Sequence, residues 1–305
     1  MSDATSAPIG AAAARPRLQT IAAVVNPASS GVRPGAEQEL QARIAAHGYR
    51  LRLFVIGDGD VEQKVSDALA IAPDLLVVLA GDGTARLAAE RSGPNGPLLA
   101  PLPGGTMNML PHALYGFTPW QDALEATLDR GVERGVGGGK VDAHVFFVAA
   151  VLGSPALWGG AREALRAGRI IEAERRAELA IRRAFTGRIT YAAEGLPERR
   201  GKALALICPL VSKALHQEQA LEMVAFDYDR PGEIVRLALN GFAGDWRGDA
   251  SVSTSLAARG WARARGSLPA MLDGESVRLP RQVAFEFIPR AFRALAPPAV
   301  SAASL

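Results

Sequence analysis

Leu75-Leu76-Val77-Val78-Leu79-Ala80-Gly81-Asp82-Gly83-Thr84, followed by Leu98-Leu99-Ala100-Pro101-Leu102-Pro103-Gly104-Gly105-Thr106-Met107-Asn108, decides how this chain folds. Each stretch is an apolar run of buried-strand length, broken by a glycine turn and then by a Thr at the start of a helical pattern. Such a turn suits an anion. Glycine lets the backbone come close, and the free N–H groups of the following helix turn point at the ligand with the positive end of the dipole. Asp82, between two glycines, is the unusual residue. A carboxylate beside bound phosphate is repelled unless a divalent cation stands between them, so the pattern reads as a metal–nucleotide site.

Working outward, the same alternation extends to the start of the chain. Ile21 to Val25 reads as a strand ending in the turn-rich Asn26-Pro27-Ala28-Ser29-Ser30-Gly31, and Ala36 to His47 as a helix with Leu40, Ile44 and Ala45 in step. Arg50 to Ile56 reads as a strand and Asp60 to Ala72 as a helix, with Val61, Val65, Ala68 and Leu69 on one face. Repeated strand–helix units imply a parallel sheet covered on both faces, with a ligand at the carboxyl ends of its strands. The loops 26–31, 81–84 and 104–108 should gather there.

Beyond the helical 119–130, Gly131, Gly135 and Gly137 to Gly139 read as a linker. Short β-like runs then follow at 141–152, 187–193, 202–210, 221–226, 234–239, 251–256 and 283–288, consistent with an antiparallel sandwich. One helical pattern interrupts them, Trp158 to Phe185, with Leu165, Ile171, Ile181 and Phe185 among arginines that include Arg175, Arg176, Arg182 and Arg183. The expected fold is an α/β N-terminal domain with a parallel sheet, followed by a β-sandwich-rich second domain. The boundaries expected are a disordered tail at 1–17, a nucleotide-binding domain at 18–135 that 290–305 returns to join, and a β-rich substrate domain at 136–289.

Composition narrows the function classes. The single cysteine, Cys208, lies in an apolar run, which excludes an internal disulfide framework and suits a buried thiol. His47, His112, His144 and His216 show no metal-ligand spacing. The formal net charge is +3 and most of the base is arginine, a mild bias toward anionic partners. Nucleic acid fits poorly, because aromatic content is 6% and no basic stripe is interleaved with aromatics. No apolar run approaches the roughly 20 residues that span a bilayer, and residues 1–17 lack the basic start and apolar centre of a signal peptide. The expectation is a cytoplasmic protein that meets lipid from the inner membrane surface.

The order Asn26-Pro27-x-x-x-Gly31, Gly81-Asp82-Gly83-Thr84, Gly104-Gly105-Thr106-x-Asn108 and Asp273-Gly274-Glu275 resembles the diacylglycerol kinase catalytic family, which includes bacterial lipid kinases and the sphingosine and ceramide kinases. The fold expected above is also that of this family and of NAD kinases, which share the Gly-Asp-Gly-Thr turn. The resemblance implies ATP-dependent phosphorylation of the primary hydroxyl of diacylglycerol or a ceramide- or sphingoid-like lipid, with Mg²⁺ as cofactor. On the same basis Asn26, Pro27, Gly31, Gly81, Gly83, Thr84, Gly104, Gly105, Thr106 and Asn108 belong to the nucleotide. Glu275 is the leading general base and Asp82 the other catalytic carboxylate, while Asp82 and Asp273 are the candidate metal-site residues. Which carboxylate takes the proton and which serves the metal stays open.

Each assignment has a structural rival. Asp-Gly at 82–83 and at 273–274 is also a favoured tight turn, Thr84 and Thr106 also suit helix N-caps, and the arginine-rich helix also suits packing on its own sheet. The chain departs from the family at Ala80, where a glycine is usual and a small residue can keep the close approach but would hold a strained φ less readily, at Leu87, where a Glu is usual, and at Met109, where an Asp is usual. No clean counterpart of the family's Asp-Gly-x-Leu-Asp segment occurs, Glu218 to Phe226 taking its place. Those departures make a non-catalytic nucleotide- or lipid-binding homologue the alternative. Among enzymes NAD kinase is the rival, against which the Asn-Pro loop and the Asp-Gly-Glu segment argue.

Overall fold

The computed structural model describes residues 16–57, 60–153, 188–212, 219–227 and 249–298. The first of these regions follow the alternation read from sequence: β1 (Thr20–Val25), α1 (Ala36–Ala46), β2 (Arg50–Val55), α2 (Val61–Ala70), β3 (Leu75–Ala80), α3 (Asp82–Ser92), β4 (Leu98–Pro103), α4 (Met109–Tyr115) and α5 (Trp120–Arg130). The four strands pair in parallel in the order β2-β1-β3-β4.

β3 explains why the run Leu75 to Ala80 has no polar residue. Leu76 and Val78 point into one apolar cluster with Val65 and Ala68 of α2, while Leu75, Val77 and Leu79 point into another with Leu40 and Ile44 of α1. Both faces of the sheet are therefore covered, as parallel sheets require. On the α1 side Arg43 bonds Glu125 at 2.8 Å, and His47 approaches Asp129 at 3.1 Å, tying α1 to α5. The carboxyl ends of β1, β3 and β4 are left free to carry loops.

The glycine-rich stretch after α5 is not a linker. It forms β5 (Val132–Val141), antiparallel to β16 (Gln282–Ala296) over most of its length. A Cβ at Gly139 would lie 2.1 Å from the Phe146 ring, so here the missing side chain makes room for an aromatic rather than for chain flexibility. The run 141–152, expected as one strand, is divided twice: Asp142, whose φ is 55°, turns the chain from the end of β5 into β6 (His144–Phe146), and residues 147–148 separate β6 from β7 (Ala149–Gly153).

The remaining strands are β8 (Ile189–Ala193), β9 (Arg199–Gly201), β10 (Ala203–Ile207), β11 (Leu221–Phe226), β12 (Val252–Ala257), β13 (Arg259–Ala264), β14 (Leu268–Leu272) and β15 (Glu275–Leu279). Six form a sheet in the order β12-β11-β10-β7-β14-β15, antiparallel throughout. The first sheet continues from β4 through β16, β13, β8 and β9. Phe146, Phe285, Leu204, Leu206 and Leu272 fill the core between these two layers. The helical pattern at 158–185 and the β-like run at 234–239 lie outside the described residues.

β16 is the element that sets the site's geometry. Its first half pairs with β13, and its far end lies parallel to β4 through Ala294 and Leu99. Phe292 joins the cluster under α2 and Leu295 the cluster under α1. One strand is thus packed into both halves, and the antiparallel layer is held against the carboxyl ends of β1, β3 and β4.

Candidate active site

The cleft is made by three loops of the parallel sheet and one hairpin of the antiparallel layer. Asn26, Ala28, Ser29 and Ser30 line it from the end of β1, and Gly81 to Thr84 from the end of β3. Gly105 to Met107 contribute from beyond β4, and Gly274 and Glu275 from the β14–β15 hairpin. Its volume is about 370 Å³.

The loops brace one another through backbone contacts that exclude side chains. The Gly31 N–H donates to the Gly104 carbonyl at 3.0 Å, and the Gly104 N–H to the Ala80 carbonyl at 3.1 Å. A Cβ at Gly104 would lie 2.7 Å from the Ala80 nitrogen, and one at Gly105 2.8 Å from the Gly81 Cα. The glycines are needed for this close approach. Ala80 is the last residue of β3 and takes no left-handed φ, so the position does not ask of it the strained backbone that an alanine holds poorly.

Polar side chains complete the bracing. The Gly81 N–H donates to Ser29 Oγ at 3.1 Å, and Ser30 Oγ and Thr106 Oγ1 share a 2.7 Å bond. Asn108 sits in the left-handed region at φ 50°, where its side chain accepts from the Gly105 N–H at 2.7 Å and donates to the Gly105 carbonyl at 2.9 Å. Neither threonine is a helix N-cap. α3 starts at Asp82 with Gly81 as its cap residue, leaving Thr84 inside the first turn, and Asn108 occupies the cap position of α4.

Asp82 spans two loops. Its Oδ2 accepts from the Asn108 N–H at 2.8 Å and its Oδ1 from the Met109 N–H at 2.6 Å, which satisfies two donors at the start of α4. Met109 therefore contributes through its backbone at the position where the family's Asp is usual. Burial pushes the Asp82 carboxyl above its ordinary value, against the downward pull of those N–H bonds.

Asp273 and Glu275 diverge at the hairpin. Asp273 and Gly274 both have positive φ, 46° and 86°, the backbone of a tight two-residue turn between β14 and β15. The Asp273 carboxylate turns inward. It accepts from the N–H groups of Phe147 at 2.7 Å, Val148 at 2.8 Å and Ala149 at 2.9 Å, and it does not line the cleft. Its contribution is to fix the hairpin that presents Glu275. The Glu275 side chain is exposed and reaches over α3, with Oε1 3.8 Å from the Cβ position of Gly83.

Burial pushes the Asp273 carboxyl up to about 6, more than the three N–H bonds pull it down. An unfolded Asp titrates near 3.9, so between about pH 6 and pH 4 the folded chain holds the proton that the unfolded chain has released. Stability contributed by this group is accordingly present at the acid side of that window and lost as pH rises through about 6. Denaturant unfolding of wild type and Asp273→Asn at about pH 5 and about pH 7 measures it. The stability of wild type relative to the variant falls between the two pH values.

Of the residues expected at the site, Asn26, Gly81, Asp82, Gly83, Thr84, Gly105, Thr106 and Glu275 line the cleft. Gly31, Gly104 and Asn108 brace it from behind, Pro27 lies in the β1 loop outside the lining, and Asp273 stands behind the hairpin. Ser29, Ser30 and Met107 were not singled out in advance. The two serines lie inside the Asn26-to-Gly31 turn, where hydroxyls next to a strand end were the available signal.

Among the described residues no Lys, Arg or His lines the cleft, whereas two carboxylates and four hydroxyls do. A triphosphate can enter such a lining only with its charge offset by a cation, and hard oxygen donors of this kind match Mg²⁺. Asp82 and Glu275 are the carboxylates within the cleft that fit this requirement.

Residues 20–138 match the family model described as the diacylglycerol kinase catalytic domain. No curated protein matches the chain. A solved structure of a diacylglycerol kinase from Bacillus anthracis str. Sterne is similar over 94% of this chain and 100% of its own, with a TM-score of 0.66 and 16% identity. Two further solved chains from that organism, described as candidate diacylglycerol kinases, give TM-scores of 0.69 and 0.67 at 17% and 18% identity, over the same shares of both chains. At this identity the likeness is one of fold. Among the described residues no helix is long and apolar enough to cross a membrane.

Proposed function

We propose, from the match of residues 20–138 to the diacylglycerol kinase catalytic domain, that this protein transfers the γ-phosphoryl group of ATP to the primary hydroxyl of a diacylglycerol or a ceramide- or sphingoid-like lipid, working from the cytoplasmic side of the membrane. The observation that carries the proposal is the position of Glu275. A residue nearly two hundred positions downstream of the Gly81–Thr84 turn has its carboxylate 3.8 Å from where a Gly83 side chain would begin. Acceptor chemistry and phosphate binding are thereby brought into one cleft.

The chain's own groups divide the work. The N–H groups at the first turn of α3 and the hydroxyls of Ser29, Ser30, Thr84 and Thr106 bind phosphate oxygens. Mg²⁺, when bound, would offset the charge of the phosphates, and Asp82 is the residue that would hold it, leaving Glu275 free for the proton. The Glu275 carboxylate accepts the proton of the lipid hydroxyl. The hydroxyl oxygen bonds to the γ-phosphorus while the bond from that phosphorus to the β,γ-bridging oxygen breaks, and ADP leaves with the electron pair.

Purified protein given radiolabelled ATP, Mg²⁺ and separate acceptors tests this. Diacylglycerol, ceramide, sphingosine and NAD are the arms. Label is expected on a lipid, whereas label on NAD alone overturns the lipid assignment. One observation favours a second reading, a nucleotide-binding protein without turnover: both Asp82 oxygens are committed to the start of α4. ATP binding without label transfer to any acceptor supports that reading instead.

A further inference from the structure

Phe117 is 93% exposed, whereas the other large exposed hydrophobics among the described residues, Val55, Leu196 and Leu256, are 38–53% exposed. Its ring does not hang free. It packs against the His112 imidazole at a 43° tilt with centroids 4.3 Å apart, and the turn beneath it is held by the Gly116 N–H on the His112 carbonyl at 2.9 Å. An aromatic side chain is thus fixed pointing into solvent, where its hydration is unfavourable.

Its place relative to the cleft is set by α4. The first N–H groups of that helix rest on Asp82, and the His112 N–H donates to the Asn108 carbonyl at 2.8 Å. α4 is seven residues long, about 10 Å, so Phe117 stands one short helix away from the cleft carboxylate. The neighbours Gly116 and Pro119 are exposed and small or rigid. The apolar surface is therefore a narrow tip. A stable protein–protein contact buries several hundred Å² on each partner, which a single ring does not supply, whereas a tip of this shape fits between lipid headgroups.

We infer that Phe117 is a bilayer-inserting side chain at the end of α4 away from the cleft carboxylate, through which the protein docks on the membrane holding its acceptor. The inference rests on the lipid-kinase reading for the identity of the partner.

The test uses the full chain and phosphatidylcholine vesicles containing phosphatidylglycerol but no acceptor lipid. Phe117→Ser is expected to lower vesicle partitioning about tenfold or more, the loss that follows from no longer burying one phenyl ring. In Phe117→Trp the introduced indole is expected to be quenched by brominated acyl chains, read as the difference from wild type. Turnover of a short-chain, water-dispersed acceptor by Phe117→Ser is expected to match wild type. Equal partitioning of wild type and Phe117→Ser, no vesicle binding by wild type, or an unquenched indole overturns the inference. So does a change in self-association with unaltered vesicle binding, which would make the tip a protein contact. Failure of wild type to turn over any acceptor counts against the kinase reading alone, since vesicle partitioning needs no catalysis.

Discussion

Glu275→Gln is expected to lower kcat for lipid phosphorylation by about 10²–10⁴-fold, the range that a positioned general base supplies. The side chain is exposed at the first position of β15 and belongs to neither apolar core, so the substitution leaves the fold intact. Thermal unfolding should coincide with that of wild type. The KM for ATP should change little, because the N–H groups of α3 and the loop hydroxyls remain in place. The comparison therefore separates proton transfer from nucleotide binding. A variant that kept kcat within a few-fold of wild type would remove Glu275 from the base role and leave Asp82 as the cleft's remaining carboxylate.

The parts of this fold that sequence made legible are those whose burial is local in origin. β3 and β4 are apolar at nearly every position because both faces of the parallel sheet are covered, and the glycine turns after them announce the α3 and α4 ends. The stretch 131–139 misleads because its glycines carry no signal of what fills the space above them. Phe287 does so from far along the chain on β16, and Phe146 from across the β5–β6 hairpin, where it pairs directly with Gly139, a pairing that no glycine signals by itself. β13 to β15 were not anticipated for a related reason. Arg259 and Arg263 face outward on β13, Pro269 interrupts β14, and β15 is polar at most of its positions, so alternation is weak although the pairing is regular.

The site divides in the same way. Residues whose role is carried by a glycine turn and the helix start beside it were found from the motif. Asp273 was found too, but its task was not, because its partners at 147–149 are about 125 positions away in the chain. Nothing near the Asp-Gly-Glu triplet distinguishes an inward carboxylate from an outward one. The hairpin decides it: Asp273 is a left-handed turn residue and Glu275 the first residue of β15, so the strand rule that puts positions two apart on one face does not hold across the turn, and Asp273 meets the backbone at 147–149 while Glu275 lines the cleft. What the pair achieves instead is a buried anchor and an exposed reactive group on one rigid element.

Asp82→Ala is expected to show the largest combined effect, on stability and on turnover. It leaves the N–H groups of Asn108 and Met109 without their acceptors, and a hydrogen bond to a charged group contributes about 1.5–3 kcal/mol. With solvent able to reach part of this helix start, a loss of about 2–4 kcal/mol in unfolding free energy follows by the same scale. Denaturant unfolding measures it. Asp82→Asn isolates the other duty of the residue. It keeps one acceptor oxygen for α4 but no negative charge for a metal-bound phosphate, so stability should fall far less than in the alanine variant while turnover still collapses. If Asp82→Asn phosphorylated lipid at the wild-type rate, the carboxylate would be a clamp between two loops and no more. Among the described residues the cleft has no Lys, Arg or His, so of these residues Glu275 would then have to hold the cation, the same group that must be free to accept the hydroxyl proton. Those two demands on one carboxylate conflict, which is the physical reason to expect that Asp82 serves the metal as well as the helix.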